Sequence, residues 1–439
     1  VSPPQGARAE LEGIFREALA AVAAGDAVRR VVAGDGRRLA LDGRLVDDGA
    51  RLLLLAAGKA AAEMAAAFEE RAGARIAAGL AVTKDGHGVP LERVTLREAS
   101  HPVPDTRCER AAREALTLLE SARPEDVLCV LLSGGASSLL ACPAGGLTLE
   151  DLAATTQVLL EAGAEIEQLN AVRKHLSAIA GGRLAQRTRA GRVEVLAISD
   201  VPGDRLDVIG SGPFAADPTT YTDALAVLAE RDVLERVPAR VRAHLEAGAS
   251  GELEETPKPG DRSLSRVSTK LLATNRDAVE AARDAAQRRG LAVRVVSPTL
   301  EGEAREAGRW LVDLARRAPA RDPLCLVAGG ETAVTVRGRG RGGRSQELAL
   351  AAAIDLDGGP AAALLAAGTD GSDGPTDAAG AFADEGTVER GRRAGVDARA
   401  ALAENDSYGF FSAEGGLWVT GPTRTNVMDL ALVRVGPRA

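Results

Sequence analysis

Short, unbroken aliphatic runs constrain this chain most, because each ends abruptly in a glycine-flanked polar loop and is followed by a stretch patterned for a helix. Residues 51–56, 127–132, 193–198, 324–328 and 361–367 are of this kind. A strand that is apolar on both faces has to be covered on both faces, which is the situation in a parallel sheet flanked by helices. Alternation of these runs with helical segments at 60–71, 107–121, 303–317 and 346–354 predicts an α/β architecture with mostly parallel sheets. Aromatic residues are only 2% of the chain, so the core has to be assembled from alanine, leucine and valine.

Open α/β sheets bind ligands beyond the carboxyl ends of their strands, and polar residues collect there. The set is Gly58 and Lys59, residues 133–138, Asp200 and Asp204, residues 210–213, Asn275, residues 329–331, Asp370 and Asp373, and residues 423–426. Glycine and aspartate also build ordinary turns. Their recurrence at the same end of successive strands points to a ligand site.

The densest of these stretches is residues 337–344, RGRGRGGR, between an alternating run and a helix beginning near Ser345. It cannot contribute to a core. It predicts a backbone concavity with inward N–H groups beside guanidinium donors, suited to a phosphate or carboxylate. The N-terminus of the following helix adds its unpaired N–H groups. Asp370 and Asp373 suit Mg²⁺ through oxygen ligands or a turn, and Asp200 and Asp204 carry the same ambiguity. On a predicted helix over 170–179, Arg173, Lys174 and His175 read as a cationic face near an anionic substrate. Cations, glycine loops and carboxylates together suit phosphoryl transfer.

Other classes fit poorly. A net charge of −8 argues against a nucleic-acid surface. The four cysteines lack metal spacing, and the four histidines are too dispersed for zinc. Cys129 and Cys325 sit in apolar strands and read as small buried hydrophobes. Walker, GxGxxG and HExxH patterns are all missing. No apolar run reaches membrane-spanning length and the N-terminal stretch has no signal-like apolar region, so the expectation is a cytoplasmic protein without a membrane partner. The polar, proline-containing stretch 248–263 reads as a boundary between domains 1–255 and 256–439.

Longer motifs carry a family resemblance. Residues 55–60 (LAAGKA) with Met64, 132–140 (LSGGASSLL), 169–177 (LNAVRKHLS) and 199–204 (SDVPGD) resemble the two-domain glycerate 2-kinase family. So do 209–213 (IGSGP) with 217–219 (DPT), 329–332 (GGET), 340–348 (GRGGRSQEL), 368–377 (GTDGSDGPTD) and 420–426 (TGPTRTN). Ala136 and Ser345 are mild departures from the family pattern. Some relatives have carried the label hydroxypyruvate reductase, an activity that requires a nicotinamide site this sequence does not display.

The resemblance implies a Rossmann-like, parallel-sheet N-terminal domain, a smaller α/β C-terminal domain, and an active site in the interdomain cleft. It implies transfer of the ATP γ-phosphoryl group to the 2-hydroxyl of D-glycerate with Mg²⁺, in a monomer or homodimer. Lys59 and Arg344 match the family's functional lysine and arginine. They are expected to hold the reacting phosphate and the glycerate carboxylate, in either order. Asp370 is expected to bind Mg²⁺ or handle the hydroxyl proton, supported by Asp200, Asp204 and Asp373 as metal ligands. Gly58, Ser133, Gly134, Gly135, Ser137, Gly210 and Gly212 are expected to cradle phosphate oxygens. Arg173 and Lys174 add to the anion pocket, and Asn275, Glu331 and Asn426 are expected at or behind the substrate.

Overall fold

The computed structural model describes residues 4–34, 38–318 and 322–436, which form two compact units. One is built from Ala24–Ser199 and Asp204–Leu272; the other takes Ala273–Ala439, Asp200–Gly203 and the N-terminal helix Pro4–Ala21. The chain therefore divides at 272/273 and not at the expected 255/256. Residues beyond 255 stay with the first unit because Thr256 donates to Asp217 Oδ2 at 3.1 Å, Asp217 N–H donates to the Pro257 carbonyl at 2.8 Å, and the strand Val267–Ala273 closes that unit's sheet.

The first unit holds a six-stranded sheet in the order Thr95–Ala99, Ile76–Lys84, Leu52–Ala57, Val127–Leu132, Arg192–Ile198, Val267–Ala273. Its first five strands pair in parallel. Leu52–Ala57 and Val127–Leu132 are buried at every position, as unbroken aliphatic strands require. The alanine-rich helix Ala61–Ala72 buries Met64 and Phe68, and Thr106–Glu120 buries Ala111, Ala115 and Leu119. Small side chains let these helices pack closely without aromatic filler.

A satellite layer of four helices (Leu149–Glu161, Ile166–His175, Tyr221–Glu230 and Ala239–Ala249) closes around Leu159, Val172, Leu228 and Leu245. Thr148 caps the first of them in a reciprocal box with Asp151, its N–H donating to Oδ2 at 2.9 Å. Residues 29–34 and 38–46 form the end of the helix Ala24–Val31 and a small antiparallel sheet.

The second unit departs from the parallel expectation. Its strands run Ala292–Leu300, Leu324–Gly330, Asp429–Val435, Ala362–Gly368, Gly380–Asp384, Leu417–Trp418. Only the first pair is parallel. The C-terminal strand Asp429–Val435 inserts antiparallel to both neighbours, pairing Leu432 with Val327 and with Leu365. The helix Arg344–Leu356 packs on this sheet with nearly every residue buried. The helix Pro4–Ala21 presents Leu11, Ile14, Phe15 and Ala18 inward at 0% exposure, with Phe15 edge-on to Trp418.

All four cysteines are reduced and buried. Among the described residues no helix is long and apolar enough to cross a membrane.

Candidate active site

In the first unit, two loops at the carboxyl ends of adjacent strands clamp each other. Gly58 has φ +128°, and a Cβ there would overlap the Ser133 hydroxyl and carbonyl, so only glycine fits. Lys59 N–H donates to the Gly134 carbonyl at 2.8 Å, Ala60 N–H to Ser133 Oγ at 3.1 Å, and Ser133 N–H to the Ala57 carbonyl at 3.0 Å. Ser133 is fully buried with its amide and hydroxyl both used. It anchors the Lys59 loop, which corrects its expected place in a phosphate cradle.

Gly135, with φ +86°, turns the chain into the short helix Ala136–Leu139. A Cβ on it would lie 2.9 Å from His101 Nε2 and 3.4 Å from Lys59 Cγ, so His101 and Lys59 flank this glycine. His101 is absent from the sequence-derived set. Its signal was available: the run 100–105, SHPVPD, follows the strand Thr95–Ala99 as the other polar loops follow theirs.

Ser137 Oγ meets Ser211 Oγ at 2.8 Å, joining this loop to the second glycine loop. There Gly210 takes φ +57°, whereas Gly212 is consumed internally. The Gly212 N–H donates to Ile209 at 2.9 Å and its carbonyl accepts from Gly182 at 2.7 Å, so Gly212 is not an anion donor.

The helix Ile166–His175 separates its three basic residues. Lys174 is 2% exposed, and its ammonium lies 3.3 Å from both Asp207 and Asp217. His175 is fully buried, with Nδ1 2.7 Å from the Ala171 carbonyl and Nε2 2.9 Å from Glu255. Lys174 is therefore an internal counterion and not part of an anion pocket. Arg173 faces the other way and lines a cavity of about 590 Å³ together with Ser137, Ser211 and Gly210. It has no partner among the described residues, and burial alone pulls its pKa down. A guanidinium desolvated without a counterion is costly unless an anion joins it.

In the second unit four of the eight amides of the arginine–glycine loop, residues 337–344, are already spent within the protein. Arg337 and Gly338 N–H donate to Asn405 Oδ1 at 2.7 and 3.0 Å, Gly340 N–H to the Glu404 carbonyl at 2.8 Å, and Arg341 N–H to Asp406 Oδ1 at 3.1 Å. The expected helix N-terminus is also filled, because Asp373 accepts Ser345 N–H at 3.1 Å and Gln346 N–H at 2.8 Å. Asp373 is 2% exposed and spends both side-chain oxygens capping this helix, which argues against its expected place among the metal ligands.

Burial, then the charge of Asp429, pushes the Asp373 carboxyl up to about 7 against the pull of those two amides. A carboxyl raised in the folded state holds its proton where the unfolded chain has released it. Its stabilising contribution is fully present below about pH 4 and is lost as pH rises through about 7. Asp373→Asn should remove this slope, which amounts to a few kcal/mol at most. Thermal midpoints of both proteins from pH 4 to 8 test this, and parallel profiles would sink the assignment.

Arg344 is clasped by two carboxylates: Nε and Nη2 donate to Asp429 at 2.5 and 2.9 Å, and Nη1 lies 2.5 Å from Glu331. Burial works against its charge, but Asp429 and Glu331 outweigh that and hold the guanidinium ionised. One N–H on each terminal nitrogen is left over by these pairs. Glu331 thus orients Arg344, and Asp429 is a positioning residue that sequence reasoning missed.

Asn275, 2% exposed, donates to the Val427 and Asp429 carbonyls at 2.6 and 3.0 Å. These donors fix the start of the last strand, while the buried Asn275 Oδ1 has no partner among the described residues. Asp370 closes a turn by accepting Ser372 N–H at 2.9 Å. Asn426 donates to Asp200 Oδ2 at 3.0 Å, whereas Asp204 belongs to the other unit. Among the described residues no group of three or more His, Cys, Asp or Glu could hold a metal ion.

Comparison with known proteins bears on this arrangement. Residues 10–246 match a family described as a domain of unknown function (DUF4147), and residues 324–429 match the MOFRL family. A glycerate 2-kinase of Pyrococcus horikoshii is 42% identical, over 93% of this chain and 93% of its own length. A D-glycerate 2-kinase of Thermotoga maritima is 43% identical, over 87% of this chain and 90% of its own. A crystal structure of glycerate kinase from Thermotoga maritima superposes with a TM-score of 0.83 at 38% identity, covering 99% of this chain and 100% of that one.

Proposed function

The chain belongs to the glycerate 2-kinase family, and on that premise we propose that it transfers the γ-phosphoryl group of ATP to the 2-hydroxyl of D-glycerate, giving 2-phosphoglycerate and ADP. The observation that carries the reading is Arg173: a largely buried, unpartnered guanidinium in the same cavity as the Ser137–Ser211 hydroxyl pair, beside the loop that Lys59 shares. Phosphoryl transfer requires placed positive charge more than covalent chemistry.

In this scheme Lys59 and Arg173 bind phosphate oxygens, helped by the amides of Gly134 and Gly135 and the Ser137 hydroxyl. Arg344, held rigid by Asp429 and Glu331, offers its two remaining N–H groups to a carboxylate. Asp370 orients the acceptor hydroxyl and takes its proton. The donor set fits Mg²⁺, which binds through one or two carboxylates plus phosphates and needs no protein cage. The half-buried carboxylate of Asp200 is the one that would hold it. When bound it neutralises charge on the transferring phosphate.

Purified protein with D-glycerate, ATP and Mg²⁺ should yield a product that enolase consumes without phosphoglycerate mutase. A requirement for mutase would overturn the 2-hydroxyl assignment, and the absence of any phosphoglycerate would overturn the reading itself.

A further inference from the structure

The Arg173 cavity does not suit glycerate. That molecule carries an oxygen on every carbon, and burial against aliphatic walls leaves each unpaired oxygen at a cost of about 1–3 kcal/mol. The walls here are aliphatic: Pro102, Val103 and Pro104 from one loop, and Leu152, Ala153 and Leu160 from the helix Leu149–Glu161. The volume of about 590 Å³ lies within the ~300–1,000 Å³ of pockets for much larger ligands. Val103 and Leu160 are also 67% and 54% exposed, leaving apolar surface that a ligand would cover.

Against this stand neutral polar groups, among them Thr156, Gln157, Ser177 and the paired hydroxyls of Ser137 and Ser211, and a single charge, the unpartnered Arg173. A molecule with a flat, weakly polar body and an anionic tail satisfies both halves. We propose that this cavity holds the base and ribose of the phosphoryl donor, a nucleoside triphosphate, with Arg173 on its phosphates. The assignment rests on the kinase reading above for the identity of the donor. It adds residues 102–104 and the helix Leu149–Glu161 as the nucleoside-binding walls.

Ala153→Trp at an exposed helix position and Val103→Trp in the facing sequence stretch each fill the cavity without touching the core. Binding of mant-ADP to the full-length protein without glycerate is measured first, then steady-state kinetics. Both variants should weaken mant-ADP binding and raise the KM for ATP by about tenfold or more, with the glycerate KM within about twofold and circular dichroism unchanged. Two folded variants with unaltered ADP affinity overturn the proposal, as does a wild-type protein that binds no ADP. A rise confined to the glycerate KM overturns it too, by putting the acceptor in the cavity. Displacement of mant-ADP by inorganic tripolyphosphate as readily as by ADP does the same. If wild-type protein binds mant-ADP but phosphorylates no glycerate, the reaction proposed above has failed, and the variants still decide the cavity.

Discussion

Replacing Lys59 with alanine should lower kcat/KM by about 10²–10³-fold, the scale on which a single preorganised charge stabilises a developing anion. The fold should survive, because the contacts that set this loop are made by its backbone. The Lys59 amide donates to Gly134, and its carbonyl faces Thr83 Oγ1 and His87 Nδ1, both at 3.3 Å. Alanine keeps all three, so the stability change should stay within about 1 kcal/mol. Lys59→Arg should recover only part of the activity, since a planar fork cannot occupy the place of a compact ammonium. Near-normal turnover of the alanine variant would remove Lys59 from the mechanism.

The second large effect separates two neighbours in sequence. Lys174→Met should destabilise the protein by about 3–5 kcal/mol, because it leaves Asp217, which has no exposure, without a cation, whereas Asp207 keeps Arg205. Arg173→Ala should leave the thermal midpoint unchanged or slightly higher, since the side chain it removes is desolvated and unpaired. Its cost should appear instead as at least about tenfold in the KM for ATP, the loss of a charge-assisted contact. Thermal denaturation and steady-state kinetics on both variants decide the matter. A common phenotype would show that the helix does not divide its cations between core and cavity.

These two positions show what could be read in advance. The unbroken runs identified the buried strands because that signal is local. The glycine–lysine and glycine–serine loops were placed at strand ends for the same reason. What sequence could not supply was the account of which donors were already taken. Asp373 lies 28 residues from the Ser345 amide it caps, and Asp429 lies 85 from Arg344. Asn405 reaches back 68 residues to silence the Arg337 amide. Each looks like an unused donor or acceptor until the chain folds. The antiparallel strand Asp429–Val435 was missed for a related reason: its direction depends on which gap in the sheet receives it, not on its composition.

The helix Pro4–Ala21 bears on how this protein is made. It is synthesised before the rest of its unit, and its ion partners are Asp384 for Arg8, Arg434 for Glu10, and Arg288 and Arg289 for Glu17. Synthesis at ~5–20 residues per second leaves its apolar face waiting on the order of tens of seconds. During that time the segment from Ala24 onward can complete its own sheet, whereas the first helix waits for the helix Asn275–Arg288 on which it packs. The apolar face of this helix thus stays uncovered by its own unit until residues 275–288 have been made. A gene split after residue 272 would leave the second half without its opening helix unless that helix were supplied in trans.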